Sequence, residues 1–222
     1  LWGPDQGEQA CGDTGPGRML EPERLARLVN GEGVAETTGP LSGKRLVVTA
    51  GPWTSRLLEG LGVPLHVTRQ QKFYFQPKHP DLYLPDRLPV YADYETQFYG
   101  FPYHGSGIKV ADDSLGPDTL PDTVDRSLDV PTRDRLYGWL EDILPGVEAS
   151  FIEGSTCMYT LTPDRDFLIG CHPRHPNVLI GAGFSGHGFK FSAVVGRILS
   201  DLATSGETNY PIDRFRIDRF ER

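Results

Sequence analysis

The stretch NVLIGAGFSGHGFKFSAVVGRILSDL, Asn177 to Leu202, decides how the rest of the chain is read. Gly181, Gly183 and Gly186 spell G-x-G-x-x-G between an apolar run and a helical pattern. In that pattern Phe191, Val195, Ile198, Leu199 and Leu202 share one side, with Gly206 as a stop. A dinucleotide fingerprint sits in such a place, but it also requires a second strand with an acidic residue about 20 positions on to hold the ribose. Asp201 lies inside the helical pattern, and the following TSGETNYPIDRFRIDRFER reads as no such strand. The pyrophosphate reading is therefore disfavoured. Two others stay open: a tight turn kept by packing alone, or a turn whose bare backbone and following helix N-terminus approach an electron-rich ligand.

Composition narrows the classes. The chain has 222 residues, 38% of them hydrophobic, enough for one large or two small domains with a core. Scattered charges, 22 basic against 30 acidic with a net charge of −8, argue against nucleic acid or an anionic membrane as partner. No apolar run approaches the ~18 residues of a membrane span. Cys11, Cys157 and Cys171 lack C-x-x-C spacing, so a disulfide framework is not expected and a reducing, cytoplasmic compartment fits. Cys171, His172 and His175 in CHPRH lack a further ligand cluster for zinc, and no metal is expected. No G-x-S-x-G elbow is present.

Along the chain, Gly and Pro crowd residues 1–22, and EPERLARLV (Glu21 to Val29) offers a short helix. KRLVVTAG (Lys44 to Gly51) reads as a strand buried on both faces that turns straight into a helix, PWTSRLLEGLG. LHVTRQQKFYFQP, LPVYADYE and TQFYGFPYHGSGIKVADD alternate with period two, as antiparallel strands and hairpins do. TRDRLYGWLEDILPG places Leu136, Trp139, Leu140, Ile143 and Leu144 at helical spacing, with Asp134 favouring the start and Pro145-Gly146 the stop. Strand pieces around Cys157 and two strands, Phe167 to Gly170 and Asn177 to Gly181, lead into the last helix. The expected fold is mixed α/β, with a βα unit interrupted by an antiparallel β-rich insertion.

CMYTLTPDRDFLIG (Cys157 to Gly170) followed by HPNVLIGAGFSGHGFKFS (His175 to Ser192) resembles the C-terminal signature of the monomeric sarcosine oxidase and N-methyltryptophan oxidase family, FAD-dependent amine oxidoreductases of the D-amino-acid-oxidase class. RLVVTAGPWTSRLL (Arg45 to Leu58) resembles the family's strand-turn-helix returning to the flavin domain, and FYGFPYHGSGIKV its active-site hairpin. The resemblance implies an FAD-binding α/β domain, residues 44–62 and 156–222, interleaved with an antiparallel substrate domain, residues 63–155. Residues 1–43 stay unassigned as an irregular edge.

By the same resemblance Cys157 attaches FAD covalently, and Gly51, Trp53, Gly183, Phe184, Ser185 and Gly186 border the cofactor. Tyr99 and Tyr159 flank the substrate, a small secondary amino acid. Lys109 activates O2, Lys190 binds the substrate carboxylate, and Gly186 and His187 line the site. The implied reaction is oxidative demethylation to an imine, then formaldehyde, with O2 reduced to H2O2 by a monomer. Two departures stand out. KVADD puts Asp112 and Asp113 where many members carry His, an acid that favours a more basic substrate. Nothing in residues 1–44 reads as the family's N-terminal dinucleotide-binding βαβ unit, so the chain is expected to be the C-terminal part of a truncated enzyme. A non-catalytic remnant or interaction module of the same fold, and a nicotinamide-dependent reductase, are the alternative readings.

Overall fold

The computed structural model describes residues 44–58 and 62–220. The helix expected over Glu21–Val29, Cys11 and the edge 1–43 lie outside the described residues. In chain order run β1 (Leu46–Val48), α1 (Thr54–Leu57), β2 (His66–Pro77), β3 (Tyr91–Asp93), β4 (Phe98–Phe101), β5 (Ile108–Asp112), α2 (Val130–Ile143), β6 (Ala149–Leu161), β7 (Leu168–His172), β8 (His175–Ala182) and α3 (Ser192–Thr204). The described residues form two compact units, one of 68–158 and one of 44–67 and 159–220. Helix and sheet are mixed in the way the sequence implies.

The first unit is built on a five-stranded sheet of order β3-β4-β5-β2-β6. β2 runs antiparallel to β5, and β5 to β4, as the alternating aromatic and β-branched residues require. Phe73, Phe75, Ile108 and Val110 point to one face, where α2 covers them with Leu136, Trp139 and Leu140. That helix starts earlier than its charge pattern suggests. Asp129, not Asp134, is the N-cap: its carboxylate accepts from Thr132 N at 3.4 Å and from Thr132 Oγ1 at 2.7 Å, and proline follows in the first turn. The pieces expected around Cys157 are one 13-residue strand, β6.

The second unit holds a three-stranded sheet of order β1-β8-β7. β1 is parallel to β8, with Leu46 opposite Val178 and Val48 opposite Ile180; β7 and β8 form an antiparallel hairpin. The expectation that β1 is buried on both faces is corrected here: Val48 is buried but Val47 is 41% exposed, because β1 is the outer strand of the described sheet. Leu168, Val178 and Ile180 pack on one face with Val48, Leu58 and Ile217. Ile169 and Leu179 face the other way, toward Val195, Ile198, Leu199 and Leu202 of α3. The 3-10 turn Ile217–Phe220 is pinned by Arg219, whose Nε and Nη2 donate to the two Asp164 oxygens at 2.8 and 2.9 Å.

Two outcomes follow from this packing. Leu140→Ala, at a side chain with no exposure, is expected to cost about 2–5 kcal/mol in urea unfolding. The Arg219 hydrogen bonds lower the Asp164 pKa from 3.8 to about 2. A depressed carboxylate contributes stability that is complete above its unfolded value and lost as pH falls through its folded one, so this clasp loosens between about pH 4 and 2. A carboxyl NMR titration checks it: the Asp164 midpoint is expected near 2, returning toward 3.8 in Arg219→Met.

Candidate active site

Parallel pairing sets the chain ends of β1 and β8 side by side at their carboxyl edge, where open α/β sheets receive ligands. β1 leaves through Gly51, at φ +53, into the 3-10 turn Gly51–Trp53 and then α1. A Cβ on Gly51 would meet nothing within 4 Å, so the backbone there is open to approach. Next to it Thr54 is wholly buried, and its Oγ1 has no hydrogen-bond partner among the described residues. Sequence reasoning passed over Thr54, since a lone threonine at a helix start looks like any cap.

β8 leaves through the glycine turn. Gly183, Ser185 and Gly186 all take positive φ, at +62, +48 and +83. For Ser185 this is a strained conformation, held by its buried hydroxyl donating to Gly183 O at 3.0 Å and its N–H donating to Thr160 O at 3.0 Å. Gly186 lies against the Tyr159 ring so closely that a Cβ would stand 2.5 Å from Tyr159 Cε2. The turn therefore needs glycine for contact as well as for backbone angle.

The turn does not run straight into α3, as the sequence pattern implies. A 3-10 segment, Phe189–Phe191, intervenes, and α3 starts only at Ser192. Lys190 sits in that segment, exposed, with Nζ donating to His187 O at 3.1 Å and lying 5.2 Å from the Phe191 ring centroid. His187 is exposed too: its Nε2 is 3.2 Å from Arg165 O, and its ring lies 5.1 Å from that of Phe167. Phe184 packs on the same Phe167 ring at 5.1 Å. Phe167 thus gathers the turn's aromatic side chains.

In the other unit, the sheet face turned away from α2 carries the remaining candidates. Lys109 stands opposite Tyr74 on one side and Phe101 on the other. Its ammonium is 4.7 Å from the Phe101 ring centroid and 5.4 Å from that of Tyr99. All of these side chains are half-buried, so the charge rests on ring faces with restricted water around it. Thr156 accepts from Gln71 Nε2 at 2.9 Å, and strand alternation turns its half-buried neighbour Cys157 to the opposite face of β6. Sequence reasoning missed Lys72 and Tyr74, which share the Lys109 face. The alternation of Lys72 and Tyr74 with Phe73 and Phe75 was the available signal.

Two other groups do not join these candidates. Asp112 is committed to structure: it accepts from Arg135 Nη2 at 3.0 Å and from Ser114 N at 2.8 Å, which corrects the idea of a substrate-facing acid at this position. An open cavity of about 760 Å³ is lined by Cys171, His172, Tyr210, Arg216 and Asp218 among others, and by none of the residues given a cofactor or substrate role from the sequence. There His172 Nδ1 accepts from Arg174 N at 3.2 Å and Arg216 pairs with Asp218, so these groups hold the hairpin and the tail. Among the described residues no group of three or more His, Cys, Asp or Glu is placed to bind a metal ion. No helix among them is long and apolar enough to cross a membrane.

A parallel pair with two glycine turns at its carboxyl edge, and a separate antiparallel sheet bearing lysine among aromatic rings, suit a protein that takes a cofactor at a sheet edge. Comparison with known proteins agrees: the chain belongs to the FAD dependent oxidoreductase (DAO) family, whose model matches residues 10–202. It is 40% identical over 188 residues to the monomeric sarcosine oxidase of Bacillus sp. (strain NS-129), covering 82% of this chain and 49% of that protein. The mouse peroxisomal sarcosine oxidase is 36% identical over 193 residues, 79% of this chain and 47% of the relative. Among solved structures, L-proline dehydrogenase from P. horikoshii superposes with a TM-score of 0.69 at 21% identity, over 84% of this chain and 49% of that one. NikD, an amino acid oxidase of nikkomycin biosynthesis, gives 0.64 at 26%, over 82% and 50%. The chain spans about half the length of the curated relatives it matches.

The described residues fit the cofactor that the family name implies. Open backbone at Gly51, the orphaned Thr54 hydroxyl and the positive-φ turn at Gly183–Gly186 lie at one sheet edge, the place where open α/β sheets receive ligands. The two turns are separable by substitution. Gly186→Ala is expected to cost about 1–3 kcal/mol and to disturb Tyr159 in near-UV circular dichroism, because its Cβ has no room. Gly51→Ala, with positive φ but open space, is expected to unfold with the smaller loss of the two.

Proposed function

We propose that this chain carries the catalytic half-site residues of an FAD-dependent oxidase of N-methyl amino acids, of which sarcosine is the simplest. One observation carries the reading: the Lys109 ammonium held against the Phe101 and Tyr99 rings on a half-buried sheet face. A fixed cation with little water around it stabilises negative charge developing on O2 far better than a solvated lysine does. FAD, when bound, supplies the redox chemistry, taking two electrons from the amine and passing them to O2. The balance is sarcosine plus water plus O2 giving glycine, formaldehyde and H2O2.

In this reading residues 63–155 are the substrate domain and residues 44–62 and 156–222 belong to the FAD-binding domain, which also lends groups to the substrate. Cys157 would hold the flavin covalently as a thioether. Gly51, Trp53, Gly183, Phe184, Ser185 and Gly186 would border it, largely through backbone. Tyr99 and Tyr159 would border the substrate, and Gly186 and His187 would line it. Lys190 would take the substrate carboxylate by leaving the His187 carbonyl it now serves. The same reading makes the protein a monomer of the cytoplasm.

The test is expression of the chain with FAD. Yellow colour retained in acid-precipitated protein, lost in Cys157→Ala, and H2O2 formed one-for-one with formaldehyde from sarcosine are the expected results. Lys109→Met is expected to slow flavin reoxidation by O2 about 10²-fold or more while amine oxidation is less affected. Colourless wild-type protein, or Lys109→Met with unchanged reoxidation, overturns the reading.

A further inference from the structure

The glycine turn is supported by side chains from outside it as well as by its own backbone. The buried Phe167 ring meets the rings of Phe184, His187 and Phe191 at 5.1, 5.1 and 5.4 Å. Lys190 touches two of those three residues: its Nζ donates to His187 O and lies 5.2 Å from the Phe191 ring centroid. The segment that carries Lys190 therefore leans at several points on one ring.

That ring is clamped in turn by the C-terminal tail. Phe215 stacks on Phe167 at 5.4 Å with the planes 26° apart, so the tail covers one face of the ring. Just before Phe167 in sequence, Arg214 Nε donates to Asp166 Oδ2 at 2.6 Å. Arg219 donates to both Asp164 oxygens and, at 3.2 Å, to Asp166 O. Arg165, between the two aspartates, takes φ +62, a conformation that a non-glycine residue keeps only when its neighbours over-determine it. Its carbonyl faces His187 Nε2 at 3.2 Å, and because a carbonyl only accepts, that ring nitrogen carries the proton. Contacts thus run without a gap from Phe215 and Arg219 to Lys190, all inside one compact unit.

We propose that Phe215 is a positioning residue for Lys190: stacked on Phe167, it fixes His187 and Phe191 and so the turn that presents the lysine, and the tail Asp213–Phe220 serves as a brace for that turn. The inference deepens the oxidase reading above, from which Lys190 takes its role toward the substrate carboxylate.

The experiment is amide hydrogen exchange of the 222-residue chain. Ser185 and His187, whose N–H groups donate to Thr160 O and Phe184 O, report on the turn; Leu179 and Ile180, on the central strand of the three-stranded sheet, report on the fold. Phe215→Ala is expected to speed exchange of the two turn amides about tenfold and of the two strand amides by less than about twofold. Phe215→Leu, which keeps apolar volume but loses the ring face, carries the same expectation and replaces the alanine variant if that one does not fold. Phe215→Tyr, which keeps the ring, is expected to exchange as the wild type does. A merely structural role gives another pattern, since lost global stability appears in the strand amides that exchange on full unfolding. Turn amides that do not change, or turn and strand amides that speed up together, overturn the inference.

In protein that oxidises sarcosine, Phe215→Leu is expected to raise KM at least about fivefold with kcat within about twofold, the pattern of a lost binding contact. An unchanged KM there overturns the link to Lys190. Turn-specific exchange in protein that makes no H2O2 sinks the oxidase reading and leaves the brace standing.

Discussion

Three backbone pairs, Leu46 with Val178, Val47 with Leu179 and Val48 with Ile180, set the terms for the rest of the molecule. They join segments from opposite ends of the described chain in parallel, the kind of pairing that costs most loop entropy to close. Burial on both sides of β8 offsets that cost: Val178 and Ile180 pack with Val48 and Leu58, while Leu179 packs with α3. Because the pair must be parallel, the intervening chain has to leave and return. Residues 68–158 use that excursion to build a separate antiparallel unit with its own core. The same parallel sense aims two glycine turns out of one sheet edge, and so the pairing that closes the fold also sets where those turns lie.

Much of this was legible in residue patterns, for reasons that also explain the misses. Alternation in QQKFYFQ and FYGF gave the strands, because a half-buried sheet imposes period two on side chains. The apolar phase of that alternation was read and its polar phase was not, so Lys109 came from family likeness while Lys72 and Tyr74 went unnoticed. The start of α2 was misplaced because acidic residues recur in its first turns. Only hydrogen bonding separates the cap Asp129 from Asp134, whose carboxylate pairs with Arg133. LVV in β1 looks like a strand buried on both faces, yet nothing local tells a central strand from an outer one. The glycine turn was found from its spacing. Its geometry was not, since the packing of Tyr159 on Gly186 joins residues far apart in sequence.

The candidate groups divide by the kind of atom they present. At the edge of the three-stranded sheet the recognisable features are main-chain ones: positive φ at Gly51, Gly183, Ser185 and Gly186, and spaces that admit no Cβ. On the five-stranded sheet they are side chains, two lysines laid over Tyr74, Tyr99 and Phe101. Such a division suits a protein whose cofactor brings the reactive atoms, because the polypeptide then needs one surface of fixed shape and another of adjustable charge.

The two surfaces differ in how they tolerate change. Backbone angles in the glycine turn are over-determined: Ser185 is locked by two hydrogen bonds, and Gly186 is closed off by the Tyr159 ring. A substitution there alters the path of the chain, and every residue of the turn shifts with it. Side chains on the outer face of β2, β4 and β5 stand on a ladder whose hydrogen bonds do not depend on them, and whose core lies on the other face. Replacing one of them changes charge or volume at a point and leaves the strand where it was. Substitutions at positions such as Lys72 and Tyr74 therefore change the charge of that sheet face and leave the glycine turn as it is, whereas a substitution in the turn moves main chain.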